Sequence, residues 1–185
     1  IARQILGDCG MIHCANTAAT IRYPEMQLDA VRIGAAIYGL NPSLDPELFP
    51  DFRPALELRA KIVLTKTLQA GDSVGYGREW RAPDKRRIAL LPLGYADGYP
   101  RCLSNKAQAL VRGRRVPVVG RISMDATMID ITELGDVAIG EEAVLIGRQG
   151  GERISVEELA NLADTIVQEI VSRLGPRLPR VYRNG

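Results

Sequence analysis

The segment NPSLDPELFPDFRP carries Pro42, Pro46, Pro50 and Pro54 at every fourth position. Neither a helix interior nor a central strand tolerates that pattern, because each ring removes a backbone donor and fixes φ. The segment therefore predicts a linker or crossover that divides the chain in two. Before it, short helical patterns alternate with the apolar runs GMIHCANT and AVRIGAAIYGL, as in units of an α/β barrel or a doubly wound sheet. Two such strands cannot close a barrel. After it, ALELRAKIVLTKTL, RRIALLPLGYADG, ALVRGRRVPVVGRI, DATMIDIT and EEAVLIGRQ read as strands separated by glycine-containing turns. Ser155 and Glu158 form a capping box, and the spacing of Leu159, Leu162, Ile166 and Ile170 predicts one long helix ending before Gly175. The expected division is an α/β part over residues 1–53 and a β-rich part over residues 54–185.

Composition narrows the function classes. An apolar content of 46% supplies a core, and 24 Lys and Arg against 22 Asp and Glu give no reason to expect nucleic acid or an anionic membrane as partner. The basic clusters REWRAPDKRR and RGRR read as solvated loops. No apolar run approaches the roughly 18 residues of a membrane span, and the first residues lack the order of a secretion signal. Cys9, Cys14 and Cys102 are odd in number and show no CxxC spacing, which argues against a disulfide framework and a zinc site and fits a reducing cytoplasm. Ile1 opens directly into helix-like sequence without a Met, pointing to a chain that begins partway through a longer one.

Several polar residues stand where apolar strands run out. His13, Asn16 and Thr17 close GMIHCANT, and Arg32 is followed by the small Gly34 and Ala35. Loops in these places of an α/β barrel often bind phosphate through bare backbone N–H groups, which suits Thr17, Gly34 and Ala35. Equally open at this point, Thr17 is a helix cap, Arg32 a surface ion pair and Gly34 a close packing contact. Tyr95, Asp97 and Arg101 in GYADGYPR and Arg121 and Asp125 in GRISMDATMID interrupt apolar strands in turns; the alternative is ordinary turn chemistry with Asp97-Gly98 as a hairpin turn. In VGYGREW, Tyr76 stands between Gly75 and Gly77, a backbone that bends sharply or lies against another segment, or else a plain tyrosine at a strand end.

HCANT, VRIGAAIYGL, VGYGREW, LGYADGYPR, VGRISMDATMID and the closing RLPRVY, in this order, resemble the C-terminal half of the alanine racemase family, pyridoxal-phosphate-dependent isomerases. The resemblance implies the last two units of an α/β (TIM-type) barrel, then a mostly β, β-barrel-like C-terminal domain with a late helix. It implies interconversion of L- and D-alanine in D-alanine and cell-wall peptidoglycan biosynthesis, and a head-to-tail homodimer in the cytoplasm. Tyr76 matches the catalytic tyrosine, Arg32 the arginine facing the cofactor's pyridine nitrogen, and His13 a partner of that arginine. Thr17, Gly34 and Ala35 match phosphate-binding positions. Met124 matches a residue whose backbone N–H meets the substrate carboxylate, and Tyr95, Arg101 and Arg121 match residues lining the substrate entrance.

The chemistry agrees with these matches. Racemisation removes a proton from one face of Cα and returns one to the other, so two bases on opposite faces serve it. A free phenol titrates near pH 10, so Tyr76 needs a cationic or hydrogen-bonding neighbour to act as a base. A guanidinium opposite the pyridine nitrogen keeps its own protons, leaves that nitrogen unprotonated and favours prompt reprotonation over transamination. Two departures stand out. The family's cofactor lysine lies in a motif of the type VKANAYG that does not occur here, and the lysines present are Lys61, Lys66, Lys85 and Lys106. Pro176 occupies the place of a pocket tyrosine in LGPRLPRVY, which keeps open a serine or broad-specificity racemase. A non-catalytic β-domain fragment acting as a dimerisation module is the reading from another class.

Overall fold

The computed structural model describes residues 4, 5, 7, 10–41 and 52–183. Pro42, Pro46 and Pro50 of the expected linker, and Cys9, lie outside the described residues, while Pro54 lies in an irregular segment. The chain divides into two compact units, Ile1–Ala55 and Leu56–Gly185.

In the first unit, α1 spans Thr17–Arg22, capped by Asn16, whose side chain accepts from Ala19 N. Three-residue and four-residue 3-10 turns follow at Pro24–Met26 and Ala35–Tyr38. The two expected strands reduce to a single parallel bridge between Asn16 and Arg32, with Arg32 N donating to Ala15 O at 2.9 Å. The carbonyls of His13 and Cys14 accept from the Arg32 guanidinium.

The second unit is antiparallel throughout. Its strands are β1 (Leu58–Lys61), β2 (Leu64–Leu68), β3 (Ser73–Val74), β4 (Trp80–Arg81), β5 (Arg86–Leu91), β6 (Gln108–Val111), β7 (Arg114–Pro117), β8 (Thr127–Asp130), β9 (Glu142–Gln149) and β10 (Glu152–Ile154). One sheet runs β1-β9-β6-β7 with β10 also on β9, a second runs β2-β5-β8, and β3 pairs β4. A bridge between Val118 and Ile129 ties the first sheet to the second. Ile88 and Leu91 of β5, Leu110 of β6, Ile129 of β8 and Leu145 of β9 are buried, and β6 and β9 bury consecutive residues, 109–111 and 143–146, so these strands are covered on both faces.

Two expectations are corrected here. ALELRAKIVLTKTL is two strands, because the chain changes sheets at a corner: Ile62 N donates to Glu141 O at 2.8 Å and Val63 N to Leu90 O at 3.0 Å. The late helix is two short ones, α2 (Val156–Leu162) and α3 (Val167–Ser172). Ser155 caps α2 by accepting from Glu158 N, as its capping box predicts. The helical spacing then fails at Asp164, which adopts φ +54, a conformation that Asp tolerates better than most residues and that ends a helix. Ile166, extended and 62% exposed, is not part of the apolar stripe.

Candidate functional site

The first unit gathers four of the expected site residues into two pairs. Arg32 Nη1 lies 2.9 Å from His13 Nδ1, and its Nη2 donates to Cys14 O at 3.3 Å. An imidazole nitrogen and a carbonyl oxygen accept from the guanidinium and orient it without cancelling its charge, and among the described residues Arg32 forms no ion pair. Thr17 is buried, and its Oγ1 accepts from Gly34 N at 3.1 Å. That leaves the Thr17 hydroxyl proton to donate elsewhere, because accepting a bond uses only an oxygen lone pair. Asn16, not Thr17, is the helix cap. Gly34 is no packing contact either, since a Cβ added there would meet nothing within 4 Å among the described residues. Ala35 opens the following 3-10 turn, where the first N–H groups point away from the turn.

In the second unit, Tyr76 is 73% exposed at the start of a one-turn 3-10 segment, Tyr76–Arg78. The glycines around it have different reasons. Gly75, at φ +76, is pressed against the neighbouring loop: a Cβ there would stand 2.7 Å from Arg121 N. Gly77 is left-handed at φ +75, which turns the chain back after the phenol. Glu79, immediately beyond, forms an ion pair with Arg121. The carboxylate holds the Arg121 guanidinium above its usual value, and Arg121 holds the Glu79 carboxyl below its own, chiefly through their hydrogen bond. The Tyr76 turn and the Arg121 loop are thus joined by a backbone crossing and by a side-chain pair.

Tyr95 and Met124 sit on two further loops that are laced together. Tyr95 N donates to Ser123 O and Ala96 N to Met124 O, both at 3.0 Å. Gly94 permits this approach, because a Cβ there would fall 2.2 Å from Ser123 O. Tyr95 and Met124 are both exposed. Asp97-Gly98 is not a hairpin turn but the end of a 3-10 turn, Tyr95–Asp97, closed by Gly98 at φ +98. Arg101 lies apart from these loops' hydrogen bonds, beside a cavity of about 400 Å³ bordered by Tyr95, Gly98, Pro100, Cys102 and Arg173. Pro176 is an exposed turn residue. All four lysines are exposed, none in a desolvated site.

Sequence reasoning did not find Glu79 or Arg177. Arg177 Nε lies 3.1 Å from the buried Asp97 carboxylate and its Nη2 2.5 Å from Asp125. No local pattern announces a pairing between residues 52 positions apart.

The sequence from residue 55 to residue 182 matches the family model described as "Alanine racemase, C-terminal domain". The chain belongs to the alanine racemase family. Residues 2–42 match the model "Alanine racemase, N-terminal domain". An alanine racemase from Halothermothrix orenii is 47% identical over 96% of this chain and 47% of its own length. Among solved structures, alanine racemase from Bacillus anthracis with bound L-Ala-P superposes at a TM-score of 0.92 with 41% identity, covering 99% of this chain and 48% of that one. Alanine racemase from Bartonella henselae with covalently bound pyridoxal phosphate does so at 0.81 with 29% identity, over 98% of this chain and 50% of that one. The chain therefore spans about half the length of the relatives it matches. The mostly β architecture with late helices is the family's C-terminal domain. Among the described residues no helix is long and apolar enough to cross a membrane.

Proposed function

We propose that this chain supplies part of the cofactor cradle and one of the two proton-transferring groups of an alanine racemase that interconverts L- and D-alanine. The observation that carries the reading is the Gly75-Tyr76-Gly77 turn, which presents an exposed phenol from a backbone pinned against Arg121, in a chain of this family.

The residues of the first unit fit pyridoxal phosphate on their own chemistry. The Arg32 guanidinium, oriented by His13 and still charged, would meet the ring nitrogen as a hydrogen-bond donor. Thr17 has a hydroxyl proton to give, and the open space over Gly34 and the N–H of Ala35 suit phosphate oxygens. When bound, the cofactor draws electrons from Cα of an amino acid and so makes its Cα–H acidic. Tyr76 would then take or return the proton on one face of Cα, a lysine outside this chain's four would serve the other, and the Met124 N–H would hold the substrate carboxylate. Tyr95, Arg101 and Arg121 would border the entrance, with Arg121 kept by Glu79 from acting as a free charge. A second copy of the chain, arranged head to tail, is the partner that the family resemblance implies. The free thiols of Cys14 and Cys102 fit a reducing cytoplasm.

The test is racemisation by the complete protein, followed by chiral chromatography of L- and D-alanine and by deuterium entry at Cα in heavy water. Deuterium entry together with loss of optical activity is the expected result. Loss of neither with alanine would overturn the reading. Serine is run beside alanine, because Pro176 offers neither hydroxyl nor N–H where the family resemblance implies a pocket tyrosine; comparable turnover of the two would favour a broader racemase.

A further inference from the structure

Asp97 is the most deeply buried carboxylate of the second unit's described loops, its side chain only 5% exposed. It has one hydrogen-bond donor and one ion-pair partner. Gly94 N donates to Oδ2 at 2.9 Å, and Arg177 Nε lies 3.1 Å from Oδ1. The same guanidinium reaches past Asp97 to Asp125, with Nη2 at 2.5 Å from Oδ1. Asp97 follows Tyr95 by two residues and Asp125 follows Met124 by one, so one side chain grips both loops. The gripping side chain belongs to a third segment that is itself fastened. Gly175 N donates to Asp97 O at 2.9 Å, Gly98 lies where a Cβ would strike Arg173 O at 2.1 Å, and Arg180 donates to the carbonyls of Leu174, Gly175 and Leu178.

We infer that Arg177 is a positioning residue that clasps the Tyr95 turn to the Met124 loop. The clasp holds the two at the spacing that receives the substrate carboxylate and lines its entrance. This rests on the reading above that Met124 and Tyr95 border the substrate. An exposed ion pair alone would be worth little, and the Asp125 arm is of that kind. The Asp97 arm differs, because removing Arg177 leaves a buried carboxylate with one amide as its remaining partner, and the loop must open to hydrate it. Opening that turn breaks the Tyr95–Ser123 and Ala96–Met124 bonds that set the Met124 backbone. A guanidinium presents Nε and Nη2 in a fixed planar fork and so reaches two carboxylates on different loops at set positions, whereas an ammonium gathers its three donors on one atom and cannot span the same separation as well.

The test uses the complete protein and the variants Arg177→Gln, Arg177→Lys and Asp125→Asn. Amide hydrogen exchange at Tyr95, Ala96 and Gly175 should accelerate roughly 10- to 100-fold in Arg177→Gln, while Val144 and Leu145 in β9 keep their rates, which also certifies the fold. KM for alanine should rise about 10-fold with kcat within about threefold, the signature of lost binding rather than lost chemistry. Arg177→Lys should recover part of both. Asp125→Asn should shift both in the same direction but less, and combining it with Arg177→Gln should add nothing further. Unchanged exchange at the three amides in both Arg177→Gln and Asp125→Asn would overturn the clasp. Faster exchange with unchanged KM would overturn its role toward substrate. Should the wild-type protein fail to racemise alanine, it is the functional reading that falls, and the exchange rates still decide whether the clasp exists.

Discussion

The segment up to Ala55 and the β-rich segment after it hold their site residues by different means. In the first, the described residues include just Ala15, Thr17 and Leu40 as buried side chains. Order comes from cross-loop hydrogen bonds: Ile12 N to Asp29 Oδ2 at 2.9 Å, Asp29 N to Ile12 O at 3.1 Å, and the Arg32 contacts with His13 and Cys14. In the second, ladders fix the strands, and glycines bring loop backbones into direct contact where Tyr76 meets the Arg121 loop and Tyr95 meets the Met124 loop. The residues proposed to meet cofactor and substrate thus stand on polar scaffolding in one unit and on a packed frame in the other. Hydrogen bonds exchanged with water contribute about 1 kcal/mol each, whereas a filled core residue contributes several times that. The first unit should therefore open locally far more readily than the second.

The largest expected effect tests what the packed frame is for. Tyr76→Phe in the complete protein removes one hydroxyl from an exposed residue and should leave stability unchanged, yet lower turnover by roughly 10²–10⁴-fold, the worth of a positioned acid or base. Deuterium entry at Cα should persist from the face that Tyr76 does not serve. Turnover within a few-fold of wild type would separate the turn's geometry from any proton transfer.

A core truncation in each unit tests the comparison itself. Ile129 is fully buried in β8, opposite Ala89 and bridged to Val118, and Ile129→Ala should destabilise the β-rich unit by about 2–5 kcal/mol in urea unfolding. Leu40→Ala, at an equally buried position in the first unit, should leave that unfolding transition in place and speed exchange at amides between residues 12 and 40. If both variants shift one shared transition equally, the units are a single cooperative body. Of the caps, Ser155 accepts from Glu158 N, and Ser155→Ala should cost about 0.5–2 kcal/mol of the same unit.

What was legible in the sequence follows the same division. The β-rich character, the glycine-flanked tyrosine and the capping box are local signals, and each survives into the structure because antiparallel neighbours need only short turns between them. Apolar spacing over VEELANLADTIVQEIVSRLG predicts one continuous helix, because it carries no sign that Asp164 turns left-handed. ALELRAKIVLTKTL reads as one run because the sheet change at Ile62 leaves no polar mark. Arg177, Asp97 and Asp125 meet across distant loops, and neither spacing nor composition encodes a tertiary ion pair. The His13–Arg32 contact, by contrast, was reachable only through the resemblance to a family, since a lone histidine near an arginine in sequence-separated runs has no period to announce it.

The smallest effect concerns a contact within the packed frame that is electrostatic rather than apolar. Arg112, at φ +52 in the turn between β6 and β7, grips Glu141 with Nε at 2.8 Å and Nη2 at 2.6 Å, and Ala138 N donates to the same carboxylate at 2.7 Å. These donors favour the ionised form and bring the Glu141 carboxyl down to about 2 from an ordinary value of 4.5, with the Arg112 hydrogen bond as the largest cause. A carboxyl depressed in the folded state stabilises fully above its unfolded value and loses that contribution as pH falls toward the folded one. Stability from this contact should accordingly be intact at neutral pH and fade between 4.5 and about 2. Glu141→Gln keeps the shape and an acceptor for Ala138 but has no charge to lose. It should start slightly less stable at neutral pH and show a shallower decline through that window, measured as urea midpoints against pH. Because the carboxylate is solvent-facing, added salt should shrink the difference between the two proteins. A decline in Glu141→Gln as steep as in wild type would mean that the turn is held by its backbone and by the Arg112 bonds to Leu134 and Asp136 carbonyls alone.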